Sequence, residues 1–476
     1  MDLEKLHQAK SSAAPFKLLP ITVVGLGVLS GLLYFFNFRL QSFFLQSGLI
    51  GKTRIHFYVF LFLMISLLYL IGIYLIFKHR LTWGSSKRLV FIIIIFAVLF
   101  RVLLVPATPS VLSKDMYRYI WDGRVQQNGI NPYRHPPDAD ELKGLRDKKV
   151  YPNINRKAYP TLYPAGAQLF FRLFHIIAGD RVAGYKGLMT VFDVLTLFVL
   201  LALLRIYGFE ETRLMIYAWN PLVIFEIAYS GHLEGLMVFW MVLALYLNAR
   251  NRQILGVAAL AVASAIKLYP ALLLPALVNR GQRIKGSLAF IVSMVLLYLP
   301  FLASGRKVLG FLPIYLQNPY ESFNLGLKYL MMLVLPQLDY YLLSKIFLLA
   351  LAAAGLFIFF KPKQKDQAIR YAYILLGWLL VLMPASLHAW YVIILVPFLC
   401  FYPAAAWLLF SCMVTLSYLK YVTPSGIMPS WVLLLEYGLL FVFLAGGYIF
   451  RRTAYQNRET PKSLRQKQRY FLETHS

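Results

Sequence analysis

The chain of 476 residues is 59% hydrophobic and 14% charged, with a mean hydropathy of +0.63. Such proportions exclude a soluble globular domain and indicate an all-α, polytopic membrane protein. The net charge of +28 is concentrated in short loops between apolar runs, so it reads as a topology signal and excludes a nucleic-acid partner.

The first apolar run, about Phe16 to Phe36, is long enough to span a bilayer, and the chain carries no cleavable signal pattern. Runs near 57–77 and 89–107 complete an N-terminal transmembrane unit, residues 1–107. A large polar loop follows over 108–186, with short amphipathic helices; its segment 162–178 is an amphipathic or re-entrant piece and not a span. Apolar runs resume near 187–206, 214–231, 235–249, 254–267, 268–279, 286–303, 340–361, 370–387, 389–403, 404–421 and 431–450. They form a second transmembrane unit over 187–450, and a basic tail covers 451–476. Several runs fall short of the ~20 residues of a straight span, and the pattern predicts about 12–14 transmembrane helices. Cys400 and Cys412 both lie in apolar runs, which argues against a disulfide framework or a cysteine zinc site.

The most basic connections are Lys78–Arg88, Arg250–Arg252, Arg280–Lys285, Lys361–Arg370 and the tail from Arg451, and the positive-inside rule puts them in the cytoplasm. An even number of spans then leaves both termini inside, provided that the run 254–279 breaks near Lys267–Pro270, where a Pro stands beside a Lys. The tail reads as a solvated segment attracted to anionic lipid. The same topology collects the polar clusters on the opposite face: the 113–138 loop, Gly231–Glu234, Lys267–Pro270, 304–325 and His388–Tyr391.

The stretch SKDMYRYIWDGRVQQNGINPYRHPPD (113–138) is the densest polar island. Asp115 and Asp122 are seven residues apart, which puts them on one helix face about 10 Å from each other, with Tyr119 alongside. Arg118 and Arg124 add cations that suit a phosphate. Asn-Pro-Tyr in GINPYR signals a turn ending this helix, and 135–160 reads as a flexible connection, suggested as a lid. Plainer readings stand beside these. Asp115 with Lys114 and Arg118 fits a surface ion cluster, and Asp122 before Gly123 fits a helix cap or a supporting residue. His232 and Glu234, two residues apart, fit interfacial hydrogen bonding as well as ligand contact. His388 beside Trp390 and Tyr391 fits an aromatic belt. Asp193, Glu226 and Glu436, inside apolar runs, fit interhelical hydrogen bonds.

The 115–134 loop resembles the first large extracytoplasmic loop of the GT-C membrane glycosyltransferases, most closely the bacterial polyprenol-phosphate-mannose-dependent mannosyltransferases. The similarity extends to TLYPAGAQ (161–168), WNPLVIFEIAYSGHLEGLM (219–237), KLYPALLLP (267–275) and LHAWYVIILVPF (387–398). Glu234 stands where relatives often carry Asp. The resemblance implies a GT-C fold and an inverting transfer of a sugar, with mannose favoured, from a polyprenyl-phosphate donor to a hydroxyl of a glycolipid, glycan or protein acceptor. Asp115 matches the family's catalytic base, with Asp122 its candidate partner. Arg118, Tyr119, Arg124, His232, Glu234, Lys267, His388 and Tyr391 are the candidate substrate-binding residues, and Lys267 is the one charge in the long apolar run 254–279. No dense His/Asp/Glu motif is present, so no cofactor or metal is expected, although a divalent cation serves some relatives. The resemblance favours a bacterial inner membrane, with the site on the extracytoplasmic side. A flippase for a lipid-linked sugar and a non-catalytic envelope-assembly scaffold are the alternatives.

Overall fold

In the computed structural model, residues 18–46, 51–79, 83–107, 112–316, 323–362, 367–424 and 426–458 are described. Among them the chain is helical throughout, with no strand. Lipid offers backbone groups no hydrogen bonds, so helices that satisfy their own N–H and C=O groups are the available solution. Among the described residues, seven segments are long and apolar enough to cross a membrane: Leu19–Leu40, Lys52–Lys78, Val182–Ile206, Arg280–Ile314, Tyr340–Phe360, Ala405–Val422 and Ser430–Gly447. Shorter apolar helices stand between them at Glu234–Ala249, Gln253–Ile266 and Gln367–Val381. Of the basic tail, 451–458 continue the last helix and 459–476 lie outside the described residues.

The elements that position the site are α1 (Trp83–Leu104), α2 (Asp115–Gln127), α3 (Ala165–Ala178), α4 (Val182–Ile206), α5 (Glu234–Ala249), α6 (Gln253–Ile266) and α7 (Tyr340–Phe360). α3 buries Gln168, Phe171 and Phe174 on one face and exposes Leu173, Ile176 and Ile177 on the other, and it packs on α2. α5 packs along both α4 and α6. α6 stops at Ile266, Lys267 is extended, and a 3-10 turn runs from Tyr269 to Leu273. Pro270 inside that turn cannot donate a helical hydrogen bond, which explains the break.

Several polar groups inside the bundle are paired. Arg101 on α1 and Asp193 on α4 are both fully buried, with Arg101 Nε 2.6 Å from Asp193 Oδ2. The Tyr217 hydroxyl donates to Asp193 Oδ1 at 2.6 Å, and Arg101 Nη1 donates to the carbonyls of Ala97 and Ala218. Asn324 Nδ2 donates to Glu436 Oε2 at 2.9 Å. Asp193 thus ties two helices, whereas Glu436 ties the helix Ser430–Arg458 to the loop that precedes Leu327–Val334. Lys186 at the start of α4 donates to the carbonyls of Leu104 and Ala107, closing the C-terminal end of α1. Removing one member of a buried pair strands the other's charge. Asp193→Ala is expected to destabilise the folded protein by about 3–5 kcal/mol, read as a lowered thermal-unfolding midpoint in detergent. An unchanged midpoint would contradict this role.

Candidate active site

α2 begins at Asp115, so its carboxylate sits where the helix N-terminus favours negative charge. The Asp115 side chain keeps 24% of its surface exposed and accepts a hydrogen bond from Asn155 Nδ2 at 2.8 Å. It opens onto a cavity of about 720 Å3. Lys114, Arg156 and Lys267 bring positive charge to the wall, and His388, Trp390, Tyr391, Tyr163 and Tyr269 bring rings. The remaining wall is apolar, from Leu268 and Leu272 to Leu348, Leu351 and Ala352 on α7 and Met383. The cavity therefore joins a charged head to a greasy slot that reaches the middle of a membrane-length helix.

Lys267 Nζ pairs with the Glu234 carboxylate at the N-terminus of α5, and the Tyr269 hydroxyl donates to the same carboxylate. The Lys267 ammonium also lies over the ring of Tyr391, 4.7 Å from its centroid. His232 stacks on Trp390 at 4.0 Å, Trp390 on His388 at 4.4 Å, and His388 on Phe323 at 4.8 Å. This pile of rings fixes one side of the cavity. Burial first, then Lys267, pushes the His388 imidazole down to about 3. Burial, then Lys267 and His388, holds His232 well below the ordinary histidine range. Both rings are therefore neutral near pH 7.

Asp115, His232, Glu234, Lys267, His388 and Tyr391 are brought together from segments far apart in the chain. Asp122, Arg118, Tyr119 and Arg124 do not line the cavity. Asp122 is buried, paired with Arg118 Nε at 2.9 Å, and accepts from Gln168 Nε2 at 2.9 Å. Arg118 also donates to the Tyr159 carbonyl. Tyr119 stacks on Phe171 at 4.7 Å. These residues lock α2 to α3 and to the strap beyond it.

Arg124 holds that strap. It pairs with Asp147 at 3.1 Å and Asp180 at 3.0 Å and donates to the Leu145 carbonyl. Asp147 in turn accepts from the backbone N–H groups of Val150 and Tyr151. The Arg124 guanidinium and those N–H groups hold the Asp147 carboxyl far below the usual carboxylate range against a burial effect that acts upward. Residues 135–160, read from sequence as a flexible connection, are instead tied down by polar side chains, which hydrophobic periodicity does not register. Gly310, at φ +54, allows Phe311 N–H to reach the Thr161 carbonyl at 3.0 Å; a Cβ there would collide with that oxygen. The strap supplies Asn155 and Arg156 to the cavity. Arg156 has φ +51 and lies over Phe311. Sequence reasoning missed it because NINRKAYP carries no motif, and only its basic character in a loop facing the site was a signal.

Residues 37–280 match the family described as alpha-(1->6)-mannopyranosyltransferase, N-terminal domain. Alpha-(1->6)-mannopyranosyltransferase A of Mycobacterium tuberculosis is similar to this chain, 28% identical over 175 residues, which cover 35% of this chain and 33% of that protein. The chain thus spans about a third of the length of the curated relative it matches.

Arg124→Ala is expected to free the strap and increase proteolytic cleavage within 135–160; an unchanged cleavage pattern would contradict the anchoring role. The ring stack predicts a pH effect. The native state resists a proton that the unfolded chain takes up below about 6.5, so stability is lost as pH falls from there toward the depressed folded value. His388→Phe keeps a ring and removes the proton site, and its melting temperature should fall less than that of the wild type between about pH 7 and pH 5. Equal falls would contradict the neutral-stack assignment.

Proposed function

We propose that this chain, which belongs to the alpha-(1->6)-mannopyranosyltransferase family, transfers a mannosyl residue from a polyprenyl-phosphate donor to an acceptor hydroxyl. The observation that carries the reading is the cavity itself. Asp115 is the one carboxylate among its described lining residues, and it faces lysine and arginine side chains at the head of an apolar slot. A polyprenyl chain fits the slot along Leu268, Leu272, Leu348 and Leu351, and its phosphate fits the cationic head.

In a single displacement the acceptor oxygen attacks the anomeric carbon as its proton passes to Asp115. The bond from that carbon to the phosphate oxygen breaks with inversion, and the lipid phosphate leaves as an anion. Lys267 and Arg156 stabilise the charge that accumulates on it. Among the described residues no group of three or more His, Cys, Asp or Glu side chains is arranged to hold a metal ion. With lysine and arginine supplying the counter-charge, the reading assigns no metal. The acceptor belongs to a glycolipid, glycan or protein, and the positive-inside pattern favours the extracytoplasmic face of a bacterial inner membrane.

The test is transfer from polyprenyl-phosphate-mannose by purified protein in lipid. Asp115→Asn should lower kcat by about 10²–10⁴-fold while donor binding persists. Full transfer by a folded Asp115→Asn protein would overturn the base assignment.

A further inference from the structure

Behind Asp115 lies a line of buried groups that runs away from the cavity. The Phe225–Tyr229 segment is a π-helical turn, a form that recurs at functional sites. It ends in a tight bend where His232 N–H donates to the Glu226 carbonyl at 2.9 Å. Gly231 makes the bend possible at φ +78, and a Cβ there would collide with Met116 on α2. The bend brings the two side chains face to face, with His232 Nε2 3.4 Å from Glu226 Oε2. Among the described residues neither atom has a hydrogen-bond partner of its own. The other ring nitrogen, Nδ1, lies 4.0 Å from Asp115 Oδ2. Glu226 Oε1 accepts from the Tyr418 hydroxyl at 2.6 Å. His232 is 1% exposed and Glu226 not at all.

We propose that His232 and Glu226 are positioning residues that take up the proton from Asp115 after each transfer and return it once product has left. The proposal rests on Asp115 being the base. The acceptor proton arrives on Asp115 as the new glycosidic bond forms. It passes to His232 Nδ1 while the Nε2 proton moves to Glu226 Oε2, which regenerates the Asp115 carboxylate and leaves Glu226 as the acid. The reverse transfers deliver that proton to the departing lipid phosphate or to water. The 4.0 Å gap to Asp115 is of the kind that tightens when substrate binds. Two features suit the histidine to this task. It is neutral, and stacking on Trp390 fixes its plane. A structural tie alone would need neither nitrogen aimed at Asp115.

Other titratable groups face the pair: Lys267 and His388 beside His232, and Glu234, Tyr418, Tyr58 and Tyr229 around Glu226. Glu226→Gln keeps the volume and the Tyr418 contact, whereas His232→Phe keeps the stack and removes both nitrogens. In transfer assays with polyprenyl-phosphate-mannose, each should lower kcat about 10- to 100-fold, short of the effect expected of a base. Donor KM should stay within about twofold, and kcat should rise with pH where the wild type is flat. Glu226→Asp should recover part of the loss. Wild-type kcat and pH profile in both variants, or a loss seen only in KM, would overturn the relay while leaving the transferase reading intact. A wild type that binds donor but transfers nothing would overturn both. If one variant fails to fold, the other decides.

Discussion

A lysine that interrupts an apolar run must find a counter-charge, and Lys267 finds it in Glu234. That pairing joins the end of α6 to the start of α5 and leaves the ammonium at the head of the cavity. Tyr269 and Tyr391 complete its surroundings. Burial first, and the Lys267 cation second, depress the affinity of His232 and His388 for protons. One ion pair thus sets the geometry of two helix ends and adds to the effect of burial on the ring stack beside them.

The chemistry is supported by a second, separate polar system. Arg118, Asp122, Gln126 and Gln168 bond α2 to α3, and Arg124 ties the strap through Asp147 and the turn between α3 and α4 through Asp180. None of these side chains lines the cavity, yet they hold the elements that carry Asp115, Asn155 and Arg156. Dense charge in the loop sequence therefore has two origins. A single helix presents one acid to the cavity at its N-terminus and buries the next against its neighbour.

Much of this was legible in the sequence, for identifiable reasons. Apolar length gave the helical membrane class, and Pro270 beside Lys267 marked the break in the run 254–279. Counting basic loops collected Asp115, Glu234, Lys267 and His388 on one face, and the fold brings all four to one site. The two acids of the loop, however, share a helix and not an environment, because helical spacing fixes direction but says nothing about which neighbour arrives. The anchored strap and Arg156 depend on individual polar bonds and a positive φ, which leave no periodic trace. Glu226 looked like an ordinary interhelical tie. Its approach to His232 exists only because of the π-helical turn and the bend at Gly231.

The most direct measurement is a structure of the protein with polyprenyl-phosphate-mannose bound, using Asp115→Asn to halt turnover. Phosphate density is expected against Lys267 and Arg156, with the lipid chain along Leu268, Leu272 and Leu351 and the mannose beside residue 115. A lipid chain seated outside that slot, or a phosphate remote from Lys267, would contradict this placement.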